Sequence, residues 1–250
     1  FKSITDIERC LGIPVVGMFL KSYPDRGGAK NKNSKMISLH EKPHSLKSEA
    51  YRELRANIQF LAKAQDLKSI VITSSVGKEG KSDIAVNLAA ALAKIGERVL
   101  LIDANLRNPE CHKYFGEEND PGVLDILLGK RSFEETIRFT NIRNLDLLPA
   151  GEKVLGFAEL LSSQLMAELI EMAKTEYDRI IVDTSSVEEG ADAAVLSALC
   201  DGVLFVCEVE RIPIWKVCKS KIALDKICGN MIGVVLNRIS SGNQDILYYR

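Results

Sequence analysis

The sequence predicts an α/β fold in which a mostly parallel β-sheet carries helices on both faces. From residue 67 onwards, short runs of β-branched and other apolar residues alternate with longer amphipathic segments. The runs are continuously apolar, as expected of strands that are covered on both faces. Because strand, helix and strand in succession form a right-handed crossover, this repetition predicts parallel strands.

Composition favours one large domain. The chain has 250 residues, of which 46% are hydrophobic, enough for a sizeable core. Lysine and arginine number 33 against 34 aspartate and glutamate residues, so we predict no nucleic-acid partner. No stretch approaches the roughly 18 consecutive apolar residues of a membrane helix. The cysteines lack metal-binding spacing and are interpreted as buried thiols of the reducing cytosol. They are Cys10, Cys111, Cys200, Cys207, Cys218 and Cys228.

The N-terminal part has its own pattern. Residues 3–19 predict a short helix followed by an apolar strand. Residues 22–45 are polar and without periodicity, so they are interpreted as a linker. A helix is predicted at residues 49–64, because apolar side chains recur at three- and four-residue spacing from Tyr51 to Leu61. We therefore predict an N-terminal segment with a linker at 1–45 and the main domain at 46–250.

The remaining elements follow in alternation. Helices are predicted at residues 82–95, 157–175 and 214–228. Strands are predicted at SIVITSS, RVLLIDA, LDLLPAG, RIIVDTS, GVLFVCEVE and MIGVVLNRI.

The segment SSVGKEGKSD, residues 74–83, is predicted to bind nucleotide phosphates as a P-loop, since it lies between an apolar strand and a helix. Backbone N–H groups of such a turn present partial positive charge to phosphate oxygens. Lys81 adds a full charge, and the Ser82 hydroxyl can ligate Mg²⁺. An alternative is a strand-to-helix turn that binds nothing, because Ser75 replaces the usual first glycine. The predicted binding residues are Gly77, Lys78, Glu79, Gly80, Lys81, Ser82 and Asp83.

Two carboxylates end two other predicted strands: Asp103 follows VLLI and Asp183 follows IIV. The carboxyl ends of parallel strands line the ligand crevice, so both side chains should face the phosphates and their metal. With Ser82 they form the predicted Mg²⁺ site. Each aspartate could instead cap a strand or a turn.

These features together resemble the bacterial protein-tyrosine kinases (BY-kinases) of capsule and exopolysaccharide export. SSVGKEGKS is similar to the family's SSxPGEGKS loop, VLLIDANLRNP to VLLIDADLRRP, and RIIVDTSS to IIIDTPP. Glu49, Arg52 and Arg55 reproduce the family's E-x-x-R-x-x-R helix. The resemblance covers roughly residues 45–240. Residues 1–20 resemble the cytoplasmic stretch after the last membrane helix of the family's chain-length-regulator partner, so we expect a juxtamembrane-like segment of a longer protein.

The resemblance implies ATP or ADP with Mg²⁺ as cofactors and phosphorylation of a C-terminal tyrosine cluster, here Tyr248 and Tyr249. It implies catalytic roles for Lys81, Asp103, Asp183 and the family's arginine, Arg107.

The resemblance also implies partners and a location. It suggests a ring-like homo-oligomer that packs through Glu49, Arg52 and Arg55, although these could be ordinary surface pairs along a helix. Other implied partners are a membrane polysaccharide co-polymerase, fused or separate, and a tyrosine phosphatase. The implied location is the cytoplasm, at the inner face of the bacterial cell membrane.

Three departures from the family pattern concern the chemistry. Asn105 replaces the second acid of D-x-D and cannot accept a proton. Gly77 and Lys78 replace Pro-Gly, which is unfavourable if the lysine needs a positive φ. Asp83 replaces a threonine and should weaken ATP binding by its charge.

These departures leave alternatives to an active kinase. One is a catalytically impaired pseudokinase that acts as a nucleotide-responsive or structural scaffold. Another is a partitioning-type P-loop ATPase, although that class has an early loop lysine where this chain has Val76.

Overall fold

The computed structural model describes residues 4–21, 37–153, 156–209, 211–227 and 229–240. The strands of this part form one eight-stranded sheet in the order β1-β8-β7-β2-β6-β3-β5-β4. The strands are β1 (Val15–Leu20), β2 (Ser69–Ser74), β3 (Val99–Asp103), β4 (Arg138–Phe139), β5 (Leu145–Leu148), β6 (Arg179–Asp183), β7 (Gly202–Glu208) and β8 (Met231–Ile239).

The helices cover both faces of this sheet. They are α1 (Ile4–Leu11), α2 (Ser38–Glu41), α3 (Leu46–Gln65), α4 (Lys81–Ala93), α5 (His112–Phe115), α6 (Val123–Leu127), α7 (Phe133–Thr136), α8 (Phe157–Leu161), α9 (Gln164–Glu176), α10 (Asp192–Leu199) and α11 (Ile214–Asp225). The helix predicted at 157–175 is divided into α8 and α9, with Ser163 in an extended conformation before α9.

The mostly parallel sheet predicted from the sequence is confirmed. Each strand pair is parallel except β4 with β5. Every residue of β2 and β3 is buried. Ile70 and Ile72 face one apolar layer, which contains α3 and α4, whereas Val71 faces the other, which contains α9 and α11. The continuous apolar runs therefore arise because both faces of each central strand are covered.

The predicted N-terminal helix and strand are also confirmed, as α1 and β1. β1 pairs in parallel with β8 and so extends the sheet. Residues 22–36 of the predicted linker lie outside the described residues, and 37–45 contain the short helix α2. There the Ser38 N–H donates to Asn87 of α4 at 2.7 Å. The division of the chain between residues 45 and 46 stays a prediction.

The prediction that all cysteines are free thiols was wrong for two of them. Cys10 of α1 and Cys218 of α11 form a disulfide, because packing of the two helices brings their Cα atoms within 6.8 Å. Cys111, Cys200 and Cys207 are buried free thiols, as expected. Cys228 lies outside the described residues.

A search of the helices in the described ranges finds none with the length and apolar character required to cross a bilayer.

Helix α3 packs one face against the sheet and leaves the other exposed. The Ser45 hydroxyl accepts from the Ser48 N–H at 3.1 Å and caps the helix N-terminus. Tyr51, Leu54 and Ile58 are fully buried. The extra Cβ of an alanine at Gly17 of β1 would lie 3.1 Å from Leu54, so strand and helix are in close contact.

We predict that Leu54→Ala lowers the free energy of unfolding by about 2–5 kcal/mol, because it leaves a cavity between α3 and β1. The control is Phe60→Ala in the same helix, where the side chain is 75% exposed and the change should stay within about 0.5 kcal/mol. Urea denaturation followed by circular dichroism measures both. Equal losses in the two variants would contradict the assigned buried face.

Candidate nucleotide-binding site

The phosphate-binding loop predicted from the sequence lies between β2 and the N-terminus of α4. Gly80 has a φ of +93° and directly precedes Lys81. The Asn237 side-chain amide donates to the Glu79 carbonyl at 2.8 Å. A Cβ at Gly80 would lie 2.2 Å from the same amide nitrogen. Glycine is therefore required here both for its backbone conformation and for the close approach of β8.

Lys78 adopts a φ of +67°, which the sequence analysis identified as the unfavourable case. A left-handed conformation costs a non-glycine residue about 1–2 kcal/mol. The Lys78 carbonyl accepts from Arg238 Nη1 at 3.0 Å, an interaction that helps to hold the strained turn. Gly77 lies next to Glu189: a Cβ there would be 2.8 Å from Glu189 Oε1.

The Glu79 side chain points into the protein and fixes the loop. Its Oε2 accepts from the Val76 N–H at 2.9 Å, and its Oε1 accepts from the Glu208 N–H of β7 at 2.8 Å. Burial raises the pKa of Glu79, and the two N–H donors and the Lys81 charge oppose the rise. The Glu79 side chain therefore stabilises the loop. Only the backbone of Glu79 would make the predicted phosphate contact.

Lys81 and Ser82 form the first turn of α4. Their exposed fractions are only 5% and 7%. Burial raises the pKa of Asp183 and of Glu79, and the Lys81 charge opposes both rises. At Glu189, burial is outweighed by hydrogen bonds from Ser186 and then by the Lys81 charge, which lower the pKa. Lys81 thus acts electrostatically on several carboxylates around the loop.

Asp103 and Asp183 are direct neighbours in the β3–β6 ladder, and both are fully buried. Asp103 Oδ2 accepts from the N–H groups of Glu110 and Cys111 at 3.0 and 2.9 Å, and its Oδ1 accepts from the Asn105 N–H at 3.2 Å. Asp183 Oδ2 accepts from the Cys111 thiol at 3.6 Å. Asp183 Oδ1 has no hydrogen-bond partner among the described residues. Both Asp103 oxygens thus accept backbone hydrogen bonds, whereas Asp183 Oδ1 accepts none from the described residues.

Burial raises the pKa of both carboxyl groups. For Asp103 the negative charge of Asp183 adds to this rise, and its three backbone N–H donors oppose it. For Asp183 the Ser82 hydroxyl and the Lys81 charge oppose the rise. Two neighbouring buried anions favour a bound cation. The carboxylate and hydroxyl oxygens of Asp103, Asp183 and Ser82 are a donor set that suits Mg²⁺.

Asn105, the residue that replaces a family acid, organises the turn after β3. It is 8% exposed, and its Oδ1 accepts from the Asn108 N–H at 3.3 Å. Cys111 lies beside the carboxyl ends of β3 and β6. Its N–H donates to Asp103, and its thiol donates to Asp183. No sequence pattern indicated this contact, because it depends on how residues 104–110 fold back.

Arg107, predicted to be catalytic, is held against α10. Its Nε donates to Asp192 Oδ2 at 2.7 Å and its Nη2 to Oδ1 at 3.2 Å. Asp192 is 2% exposed in its side chain, and the Arg107 guanidinium also lies 5.1 Å from the centre of the Phe157 ring. The sequence analysis did not single out Asp192, which is 85 residues from its partner. The catalytic role of Arg107 stays a prediction.

The Asp83 carboxylate is directed towards α3. Its Oδ2 accepts from the Tyr51 hydroxyl at 3.0 Å and lies 2.9 Å from Lys47 Nζ. The Asn87 amide also donates to Asp83, to its carbonyl at 2.9 Å. The negative charge of Asp83, which should weaken ATP binding, therefore interacts with a cation and a hydroxyl group of α3.

The predicted oligomerisation residues lie on α3. Arg52 pairs with Glu49 one turn earlier and also donates to the Pro43 carbonyl. This is the surface pairing that the sequence analysis considered as an alternative. Arg55 Nε is buried without a hydrogen-bond partner in the described part of the chain. The predicted phosphoacceptors Tyr248 and Tyr249 lie outside the described residues.

We predict that Asp183→Asn raises the melting temperature of the ligand-free protein at pH 8 and that the gain shrinks towards pH 5. The folded-state pKa of Asp183 is raised. The stability from its bound proton is therefore present at low pH and lost as the pH rises through that pKa. Each kcal/mol gained corresponds to about 2–4 °C.

Differential scanning calorimetry at several pH values measures this gain. The control is Glu152→Gln at an exposed carboxylate, where little change is expected. A lower melting temperature of Asp183→Asn at pH 8 would show that the buried carboxylate stabilises the fold.

Comparisons with known proteins identify the family of the chain. A family model described as "AAA domain" matches residues 67–213. The chain is 40% identical over 212 residues to the tyrosine-protein kinase YwqD of Bacillus subtilis, covering 83% of this chain and 89% of that protein. It is 31% identical to the putative tyrosine-protein kinase CapB of Staphylococcus aureus, covering 85% of this chain and 93% of the relative. It spans only 28% of a longer relative, the putative kinase EpsB of Ralstonia solanacearum.

Solved structures agree in fold. The chimerical protein CapA2B2 has a TM-score of 0.85 at 32% identity and covers 96% of this chain and all of its own. MinD of Aquifex aeolicus, a cell division protein, has a TM-score of 0.57 at 28% identity and covers 69% of each chain. The α/β fold is thus of the P-loop nucleotide-binding type. The chain belongs to the family of bacterial tyrosine-protein kinases.

Proposed function

We propose that the chain binds ATP with Mg²⁺ and transfers a phosphoryl group to tyrosine side chains in a system that makes and exports capsule or exopolysaccharide. The observation that carries this proposal is the convergence of Lys81, Ser82, Asp103 and Asp183 at the carboxyl ends of β2, β3 and β6. Family membership supports tyrosine as the acceptor.

The residues present fit Mg²⁺. Asp183 Oδ1 is a buried carboxylate oxygen without a hydrogen-bond partner in the described ranges, and such groups indicate a place for water or an ion. Ser82 and Asp183 would hold the ion, with Asp103 beside them. When bound, the ion would neutralise the negative charge that develops on the phosphate oxygens during phosphoryl transfer.

The chain's own groups would mainly position the nucleotide. Lys81 would hold β- and γ-phosphate oxygens, and the α4 N-terminus and loop N–H groups would bind phosphate through their partial charges. Phosphoryl transfer of this type depends on positioning and charge stabilisation more than on a strong base. The loss of an acid at Asn105 is therefore compatible with transfer.

A second candidate is a catalytically impaired scaffold that binds nucleotide. The observation that favours it is Asn105, whose amide is engaged in the turn and cannot accept a proton. Bound ATP without phosphotyrosine formation would favour this function. DNA-stimulated ATP hydrolysis would instead favour a partitioning-type ATPase.

The proposed function also includes an oligomer, partners and a location. We infer a ring-like homo-oligomer that uses Glu49, Arg52 and Arg55 of α3, in the cytoplasm at the inner face of the bacterial cell membrane. A polysaccharide co-polymerase, fused or separate, and a tyrosine phosphatase would be its partners. Residues 1–45 would form the segment nearest the membrane and 46–250 the kinase domain, with Tyr248 and Tyr249 as acceptors.

We predict that Lys81→Met weakens ATP binding by about 10- to 100-fold, since it removes a charge-assisted contact worth about 1.5–3 kcal/mol. Phosphotyrosine formation should fall below detection. Titration calorimetry measures binding, and phosphotyrosine mapping on the full-length protein measures transfer. Lys94→Met, at an exposed lysine just after α4, is the control. Unchanged ATP affinity in Lys81→Met would contradict the assigned role of the loop.

We further predict that Lys47 protects the phosphate site from the charge of Asp83. Lys47→Met should weaken ATP binding about two- to fivefold, because an exposed ion pair contributes roughly 0.2–1 kcal/mol. The double variant Lys47→Met, Asp83→Asn should restore binding, and salt should reduce the effect. Calorimetric titration of the four proteins of this cycle separates the coupling from each single effect. Equal losses in the single and the double variant would argue against it.

A further inference from the structure

A buried thiol lies beside the two strand-end carboxylates. Cys111 is fully buried, its N–H donates to Asp103 at 2.9 Å, and its Sγ lies 3.6 Å from Asp183 Oδ2. The proposed transfer reaction does not use sulfur. The thiol donates to a buried carboxylate oxygen, and its ability to bind a metal is chemistry that the proposed function leaves unused.

The three side chains have the arrangement of a metal site. One ligand atom from each of Asp103, Cys111 and Asp183 lies within 4.8 Å of the other two. Zinc bonds of about 2.0 Å to oxygen and 2.3 Å to sulfur at a tetrahedral angle place the two atoms about 3.5 Å apart. The observed Sγ to Oδ2 separation of 3.6 Å is close to that value.

A second observation also indicates a ligand. The other oxygen of the same carboxylate, Asp183 Oδ1, is buried and has no hydrogen-bond partner within the described ranges. A buried anionic oxygen without a donor is costly unless an ion or water satisfies it. The cluster therefore has the ligand atoms and a carboxylate oxygen without a hydrogen-bond donor in the described part of the chain.

We propose that Asp103, Cys111 and Asp183 form a binding site for a thiophilic divalent cation such as Zn²⁺ or Cd²⁺. Sulfur selects such ions, whereas Mg²⁺ prefers oxygen ligands. On binding, the metal–sulfur bond replaces the S–H bond, and the thiol proton passes to solvent. Three protein ligands leave a fourth position open for water or a phosphate oxygen. Thiophilic ions would thus compete with Mg²⁺ at this position, a consequence that rests on the proposed function.

The test is a titration of the nucleotide-free full chain with Cd²⁺, followed by ultraviolet absorption of the sulfur-to-cadmium charge-transfer band. We expect a band that saturates at one ion per chain and is absent from the difference spectrum of Cys111→Ser. Cys200→Ser removes another buried free thiol next to a carboxylate, Asp201, and should leave the band unchanged. Loss of the band in Cys200→Ser, or its persistence in Cys111→Ser, would overturn the proposal.

Asp183→Asn gives an independent readout that keeps the thiol. This variant should lower Cd²⁺ affinity at least tenfold while circular dichroism remains that of the parent protein. Unchanged affinity would show that sulfur binds the ion without the cluster and would overturn the proposal. The two proposals fail separately: a Cd²⁺ band without ATP binding refutes only the nucleotide function, and ATP binding without the band refutes only the thiophilic site.

Discussion

The pairing of Asp103 with Asp183 across neighbouring strands is the constraint on which the site depends. The β3–β6 register places two carboxylates side by side in a buried position, where their mutual repulsion opposes folding. The turn after β3 directs three N–H groups to Asp103 and a single thiol to Asp183. The two acids are therefore unequal: Asp103 accepts three backbone hydrogen bonds, and Asp183 keeps one oxygen without a donor among the described residues.

The loop between β2 and α4 is held in shape by two neighbouring strands. Glu79 accepts a hydrogen bond from β7, while Asn237 and Arg238 of β8 donate to carbonyls of the loop. The hydrogen bond to the Lys78 carbonyl helps to hold Lys78 in its left-handed conformation. A loop fixed in this way loses little conformational entropy on binding, which favours affinity.

The parallel strands and the aspartates at their ends could be predicted from the sequence, because both are indicated by short local patterns. Continuous apolar runs indicated buried parallel strands, and an aspartate at the end of such a run must lie at the ligand edge. The contacts that modify the chemistry are not local. Asp83 meets Tyr51 across 32 residues and Cys10 meets Cys218 across 208. Such pairs form because separate helices pack together. The spacing of residues along one helix does not indicate which other helix it will contact.

Cys111 is an intermediate case. It is only eight residues from Asp103, yet its position depends on the path of the turn between them. A buried free thiol is ordinarily a small core residue. The position of the Cys111 sulfur beside Asp183 follows from the backbone hydrogen bonds that the turn makes to Asp103.

The edge strand β1 is connected to the loop before α4 through a single strand. It is hydrogen-bonded along β8, and β8 carries the Asn237 amide that donates to the Glu79 carbonyl of the loop. The N-terminal segment and the loop therefore share one structural neighbour, and a displacement of β8 would alter contacts of both.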